Sequence, residues 1–189
     1  MAHSFPQKNR RSIRLSRHDY TKSGFYFITI CTYKRQCWFG EIIQGKVRLN
    51  HLGFIVSELW KGCEKRFNYV TIDQFIVMPS HFHGILVIHN INDEHHLLSK
   101  GKFGKPIVGS LGTIIGAFKS AVSKSINQMR KTAKPPILQK NYYERIIRNE
   151  QELNNIRQYI LNNPLKWESD RENLLNHFSV QPIELDLYF

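Results

Sequence analysis

Two sets of residues in this chain have types and spacing suited to chemistry: His81-Phe82-His83, and Tyr159 with Asn163 four positions on. In a β-strand alternate side chains share a face, so His81 and His83 point the same way and Phe82 enters the opposite layer. Their Cα atoms then lie about 6–7 Å apart, within reach of one shared divalent ion. Two histidines on an ordinary strand face would have the same spacing, so both readings stand. No further ligand pair lies at zinc-finger spacing, which excludes a structural zinc site. Gly84 is expected to leave room beside the pair for a close backbone approach. His89 shares the face but lies too far along it to join.

Tyr159 and Asn163 are one helical turn apart on one face, beside the stripe of Ile156 and Ile160. A phenol there offers a nucleophile and an amide offers a neutral oxygen ligand. Taken locally, a packing tyrosine and a helix-ending asparagine before Pro164 explain the pair better. Tyr142 and Tyr143 are rival nucleophiles, but they precede the helix and lack a partner at i+4.

The elements that must position these residues are legible as hydrophobic patterns. Phe25 to Tyr33 is aromatic and β-branched, hence a buried strand. Short strands near 39–43 and 46–49 flank a turn at Gly45, a hairpin. Asn50 caps a helix of about four turns whose apolar residues are Leu52, Ile55, Val56, Leu59, Cys63 and Phe67. Residues 70–78 and 81–89 are two strands with only Pro79-Ser80 between them, so a tight antiparallel connection is expected. Residues 90–106 form the longest loop. Ser110 caps a helix with Leu111, Ile114, Ile115, Phe118, Val122, Ile126 and Met129 on its apolar face. After a break at 131–136, Asn149 and Glu152 resemble a capping box for a helix over 150–163. Pro164 stops that helix and opens a short further one over 165–175. Locally paired strands followed by helices imply an α+β sandwich, one antiparallel sheet with helices packed on it.

Composition bounds the function. The 189 residues are 41% hydrophobic and 22% charged, enough for one globular domain. No apolar run approaches the roughly 20 residues of a membrane-spanning helix, and the opening MAHSFPQKNRRSIRLSR is not a secretory signal. Three cysteines without a C-x-x-C, Cys31, Cys37 and Cys63, are read as reduced packing residues. These points predict a cytoplasmic protein. Lys and Arg number 27 against 15 Asp and Glu, a net charge of +12, which favours a polyanionic partner, above all nucleic acid. The excess is concentrated at the start: residues 1–35 hold eight Lys or Arg against Asp19 alone, whereas residues 168–189 hold five acids against Arg171. Residues 1–22 therefore read as a basic arm, 23–175 as the folded domain and 176–189 as a tail.

Two separated segments carry a family likeness. MPSHFHGILVIH matches M-P-N-H-x-H-G followed by apolar residues, and YYERIIRNEQELNNIRQYILNNPLKW matches Y-x-E-x-I-I-R-N-x-x-E-L-x-x-I-x-x-Y-I-x-x-N-P. With RLSRHDYTKSGFYFITICT, FGEIIQGKVRLNHLG and IIGAFKSAVSKSIN, the chain resembles the REP-associated tyrosine transposases over nearly all of residues 10–172. These are relatives of the single-strand insertion-sequence transposases in the HUH nuclease superfamily. The resemblance implies a ferredoxin-like, HUH-type sandwich with a central antiparallel sheet of four to five strands. It also implies a transposase-type single-strand DNA endonuclease acting beside hairpin repeats. His81 and His83 would be metal ligands, Asn163 the third ligand and Tyr159 the nucleophile. The metal would be Mg²⁺ or Mn²⁺. Ser80 stands where the family usually has Asn; this position is not a ligand, so a changed turn is expected.

Attack by Tyr159 on a phosphodiester would leave a 5′-phosphotyrosine and a 3′-OH, and reversal onto another 3′-OH would join strands. Lys8, Arg10, Arg11, Arg14 and Arg17 of the arm are candidates to grip a DNA hairpin, with Lys119, Lys124, Arg145 and Arg148 as further phosphate contacts. Such a protein would sit in the cytoplasm with the nucleoid, as a monomer or homodimer. Two alternatives remain: a DNA-binding or regulatory protein that no longer cuts, and a replication initiator or relaxase. The intact set of four site residues opposes the first. Small size, the lack of a helicase-like segment and the Y-I-x-x-N-P signature oppose the second.

Overall fold

A computed structural model of the chain describes residues 22–90 and 109–169. The basic arm with Lys8, Arg10, Arg11, Arg14 and Arg17, most of the long loop and the acidic tail lie outside the described residues.

Six strands and three α-helices follow in the order β1 (Gly24–Cys31), β2 (Gly40–Ile43), β3 (Lys46–Leu49), α1 (His51–Arg66), β4 (Val70–Val77), β5 (His81–Ile88), α2 (Leu111–Met129), β6 (Tyr143–Ile147) and α3 (Glu150–Asn162). β4, β5, β1 and β6 form one antiparallel sheet in that spatial order. β2 and β3 form a separate hairpin through Gln44 and Gly45, both at positive φ, as a right-twisted two-residue turn requires. The architecture is the α+β sandwich that the sequence implied, with four strands in the sheet.

β6 is the element that the sequence reading missed. Its five residues alternate, with Ile146 turned to one layer and Tyr143, Arg145 and Ile147 to the other. That period of two, in YYERII, was the available signal.

The sheet buries both faces. On one, Tyr26, Ile28, Ile30, Phe82, Leu86 and Ile88 meet Trp60 of α1 and Ile114, Phe118 and Val122 of α2. On the other, Ile85 and Ile147 meet Leu153 and Ile160 of α3, with Phe25, Phe27, Ile76 and Ile156 at the margin. β5 is central and buried along its whole length. Gly84 belongs to the first face, not to the histidine face. A Cβ there would lie 2.8 Å from the Trp60 ring and 2.7 Å from Phe82, so the missing side chain makes room for Trp60.

Helix ends follow the local sequence. Asn50, Ser110 and Asn149 each accept a hydrogen bond from the backbone N–H three residues on. At α3 only half of the expected box forms: Glu152 accepts from the Arg148 N–H, not from that of Asn149. Met129, placed by its period on the apolar face of α2, is exposed at the helix end. The expected last helix begins as a 3-10 turn, Pro164–Ser169. Cys31 and Cys63 are buried, whereas Cys37 is exposed and not the packing residue expected.

Candidate active site

The site forms where the start of β5 meets the end of α3. Strand alternation turns His81 and His83 to the α3 side, and their ring centroids are 4.6 Å apart. α3 crosses that face with Ile160 buried beneath it, which brings Tyr159 and Asn163 over the histidines. His81 Nε2 faces Asn163 Oδ1 at 3.2 Å. Tyr159 OH faces His83 Nε2 at 3.3 Å. His81, His83 and Asn163 are 0%, 3% and 3% exposed, while Tyr159 keeps 43% of its surface open. Ligand-type residues thus lie inside, and the tyrosine lies at the rim, partly open to solvent.

The neighbours fix the imidazoles. Thr29 Oγ1 on β1 lies 2.8 Å from His83 Nδ1, and Ser80 Oγ lies 3.4 Å from His81 Nδ1. We assign the His83 proton to Nδ1, donating to Thr29, so that Nε2 keeps its lone pair toward the Tyr159 hydroxyl, which donates to it. Phe27 stacks on the His83 ring at 5.4 Å and meets Tyr159 edge-on at 6.0 Å. Trp167, buried in the 3-10 turn, covers His81 at 6.0 Å. Burial, reinforced by repulsion from His81, holds His83 well below the ordinary histidine pKa, so its ring is neutral near pH 7.

Two imidazole nitrogens and an amide oxygen converging at one point suit a divalent cation. The hydroxyls at both Nδ1 atoms are what orients such ligands. Among the described residues no three of His, Cys, Asp and Glu form a metal-binding group, so the third protein donor available here is the amide of Asn163.

A salt bridge secures the helix that carries half of the site. β4 has a bulge between Ile72 and Phe75, where the register slips by one residue. Within it Asp73 receives two hydrogen bonds from Arg157, at 2.9 and 2.5 Å. The Arg157 guanidinium holds the Asp73 carboxyl below its usual range. Thr29, Asp73, Arg157 and Trp167 were not singled out in the sequence, because their roles arise only across strands and layers.

The remaining candidates separate by face. Tyr142 packs toward α2, away from the histidines, with Lys119 Nζ 5.8 Å from its ring. Lys119 donates to the carbonyls of Gln139 and Lys140, and burial lowers its pKa to about 8. Its charge therefore ties α2 to the chain before β6; as a phosphate contact it is misplaced. Lys124 is exposed on α2, also in the layer opposite the site. Arg145 and Arg148 are exposed, and Arg145, on the site's side, forms an ion pair with Glu152 at 2.7 Å. Tyr143 is on the histidine face but two strands from His83. Ser80 is wholly buried; its carbonyl accepts from the N–H and the hydroxyl of Thr32, so this turn is tied to the end of β1.

The four-stranded antiparallel sheet, with α1 and α2 on one face and α3 on the other, defines an α+β sandwich fold. A solved REP-associated tyrosine transposase bound to a REP hairpin shares it, with a TM-score of 0.54 and 18% identity, covering 82% of this chain and 74% of that one. The chain belongs to the family of an uncharacterized protein from Haemophilus influenzae, to which it is 40% identical over 169 residues, 86% of this chain and 92% of the relative. No family model matches the chain. No helix among the described residues is long and apolar enough to cross a membrane.

Proposed function

We propose that the protein is a metal-dependent, transposase-type endonuclease that cuts and rejoins single-stranded DNA beside hairpin repeats. The observation that carries this reading is the position of Tyr159, a half-exposed residue whose hydroxyl lies 3.3 Å from one of two paired, buried histidines. A phenol over two imidazoles and an amide oxygen has a nucleophile and a cation site side by side. The hairpin-bound transposase of like fold supports DNA as the partner.

His81, His83 and Asn163 would hold Mg²⁺ or Mn²⁺, which when bound would offset the phosphate's negative charge. Tyr159 attacks phosphorus through its hydroxyl oxygen. The new O–P bond forms as the bond to the 3′ oxygen breaks; the phenol gives up its proton and the departing 3′ oxygen takes one up. The products are a 5′-phosphotyrosine and a free 3′-OH. Because the ester survives in the link, attack by another 3′-OH reverses the step and joins strands. Phe27 and Trp167 hold the rings in place and keep water from the inner side of the site.

The test is an incubation of the protein with a labelled single-stranded hairpin repeat from the region of its own gene, with Mn²⁺ or Mg²⁺. A denaturation-resistant protein–DNA adduct is expected, lost in Tyr159→Phe and lost with EDTA. An adduct that persists in Tyr159→Phe overturns the nucleophile assignment. No adduct with any neighbouring repeat would favour a DNA-binding protein that does not cut.

A further inference from the structure

α3 lies mainly against β4 and β5 and also buries Ile147 of β6. Among the described residues, β1 and the start of β6 beside Tyr159 are less fully covered. Phe25, Phe27 and Thr29 on β1 are partly exposed, and Tyr143 and Arg145 on the edge strand β6 are exposed, Tyr143 by 50%. Register places these residues in rows. Tyr143 is directly opposite Thr29, which is directly opposite His83; Arg145 is opposite Phe27. Directly opposed side chains share a face, and the Thr29–His83 hydrogen bond fixes which face it is. Two strand spacings put Tyr143 about 10 Å from His83.

Tyr143 presents its ring on the edge strand. Its surroundings suit an anion: Arg145 stands two residues along on the same face, Arg148 follows the strand, and the chain as a whole carries +12. Glu152 is the acid in contact with Arg145, and it draws Arg145 toward α3. A flat ring beside guanidinium groups, next to a tyrosine placed for phosphate chemistry, is the arrangement that binds single-stranded nucleic acid by stacking.

We propose that the open strip of Phe27, Thr29, Tyr143 and Arg145 is a single-strand subsite, with one unpaired base stacked on Tyr143 and a flanking phosphate on Arg145. This rests on the reading of the site as a DNA nuclease, but its test does not use cleavage. The full chain carrying Tyr159→Phe is titrated in EDTA with a fluorescein-labelled thymidine homopolymer, and anisotropy is read. Adding Tyr143→Ala should weaken binding about tenfold, as loss of one base stack does, whereas Tyr143→Phe should bind as the parent. Arg145→Ala should lower the slope of log affinity against log salt by about 0.7, the single-strand value for one phosphate contact. Circular dichroism of each variant checks that the fold is kept. Equal affinity of Tyr143→Ala and the parent overturns the proposal. So does a loss of self-association in Tyr143→Ala with unchanged affinity, which would make the strip a contact between two copies of the chain. A failed adduct assay with intact stacking would refute the nuclease reading and leave the subsite standing.

Discussion

At the scale of single residues, the site depends on side chains that never touch the reacting atoms. Thr29 is the clearest. Its hydroxyl is 2.8 Å from His83 Nδ1, and it has no chemistry of its own to offer. What it supplies is orientation: with Nδ1 engaged, the lone pair of Nε2 is aimed at the site. Thr29→Val keeps the shape and removes that contact. Partners of this kind are worth about 10–100-fold in metal affinity, so Mn²⁺ binding followed by calorimetry should weaken by about that factor. Unchanged Mn²⁺ affinity in Thr29→Val would show that packing by Phe27 alone holds the ring. Ser80 plays a similar but looser part, since its hydroxyl is 3.4 Å from His81 and its carbonyl is committed to Thr32.

At the scale of elements, the question is how α3 is held. It contributes Tyr159 and Asn163, yet its buried face against the sheet is small, with Leu153 and Ile160 fully buried and Ile156 at the margin. The Asp73–Arg157 bridge adds a second hold at the β4 bulge. Because the pair is partly open to solvent, its contribution is about 1 kcal/mol. Asp73→Asn should therefore cost little global stability, while amide exchange in α3 accelerates and cleavage falls through misplacement of Tyr159. The same bond sets an acid limit. Asp73 has a lower pKa folded than unfolded, so its contribution is present above the ordinary aspartate range and disappears as pH falls through the lowered value. Protection of α3 should persist in mildly acidic solution and fail only in stronger acid. In Asp73→Asn that acid-side loss should be absent; its survival there would assign the effect to another carboxylate.

At the scale of the whole molecule, the site is rigid because β5 is buried on both faces. Phe82, between the two histidines, packs against Trp60 and Phe118 at 4.6 and 5.7 Å between ring centroids. The aromatic core of one layer thereby fixes the histidines of the other. Gly84 shows how close this packing is, since a methyl group there meets Trp60 and Phe82 below 3 Å. Gly84→Ala should lower stability by about 1–3 kcal/mol, as overpacking does, measured by denaturant unfolding. A neutral result would mean that Trp60 has space to move. The charge of the molecule also has a direction. Lys119 and Lys124 sit with α2 in the layer opposite the site, and Arg145 stands on the site's own side.

The sequence by itself determined which residues share a face. Strand alternation in HFH, a four-residue step from Tyr159 to Asn163 and apolar periods for α1, α2 and α3 are local properties, and each needs only the geometry of one element. It also showed family likeness in two distant segments. It did not determine β6, whose five alternating residues lie between a proline-rich break and a helix cap. Nor did it show that Gly84 serves Trp60, that Lys119 is spent on carbonyls, or that Arg157 reaches a bulge in β4. Those facts depend on which faces meet across the sheet, and register and docking are properties of the assembled layers. The paired histidines were legible from spacing. Their union with Tyr159 and Asn163 was decided by α3 settling mainly over β4 and β5, and the same choice leaves Tyr143 and Arg145 exposed beside it.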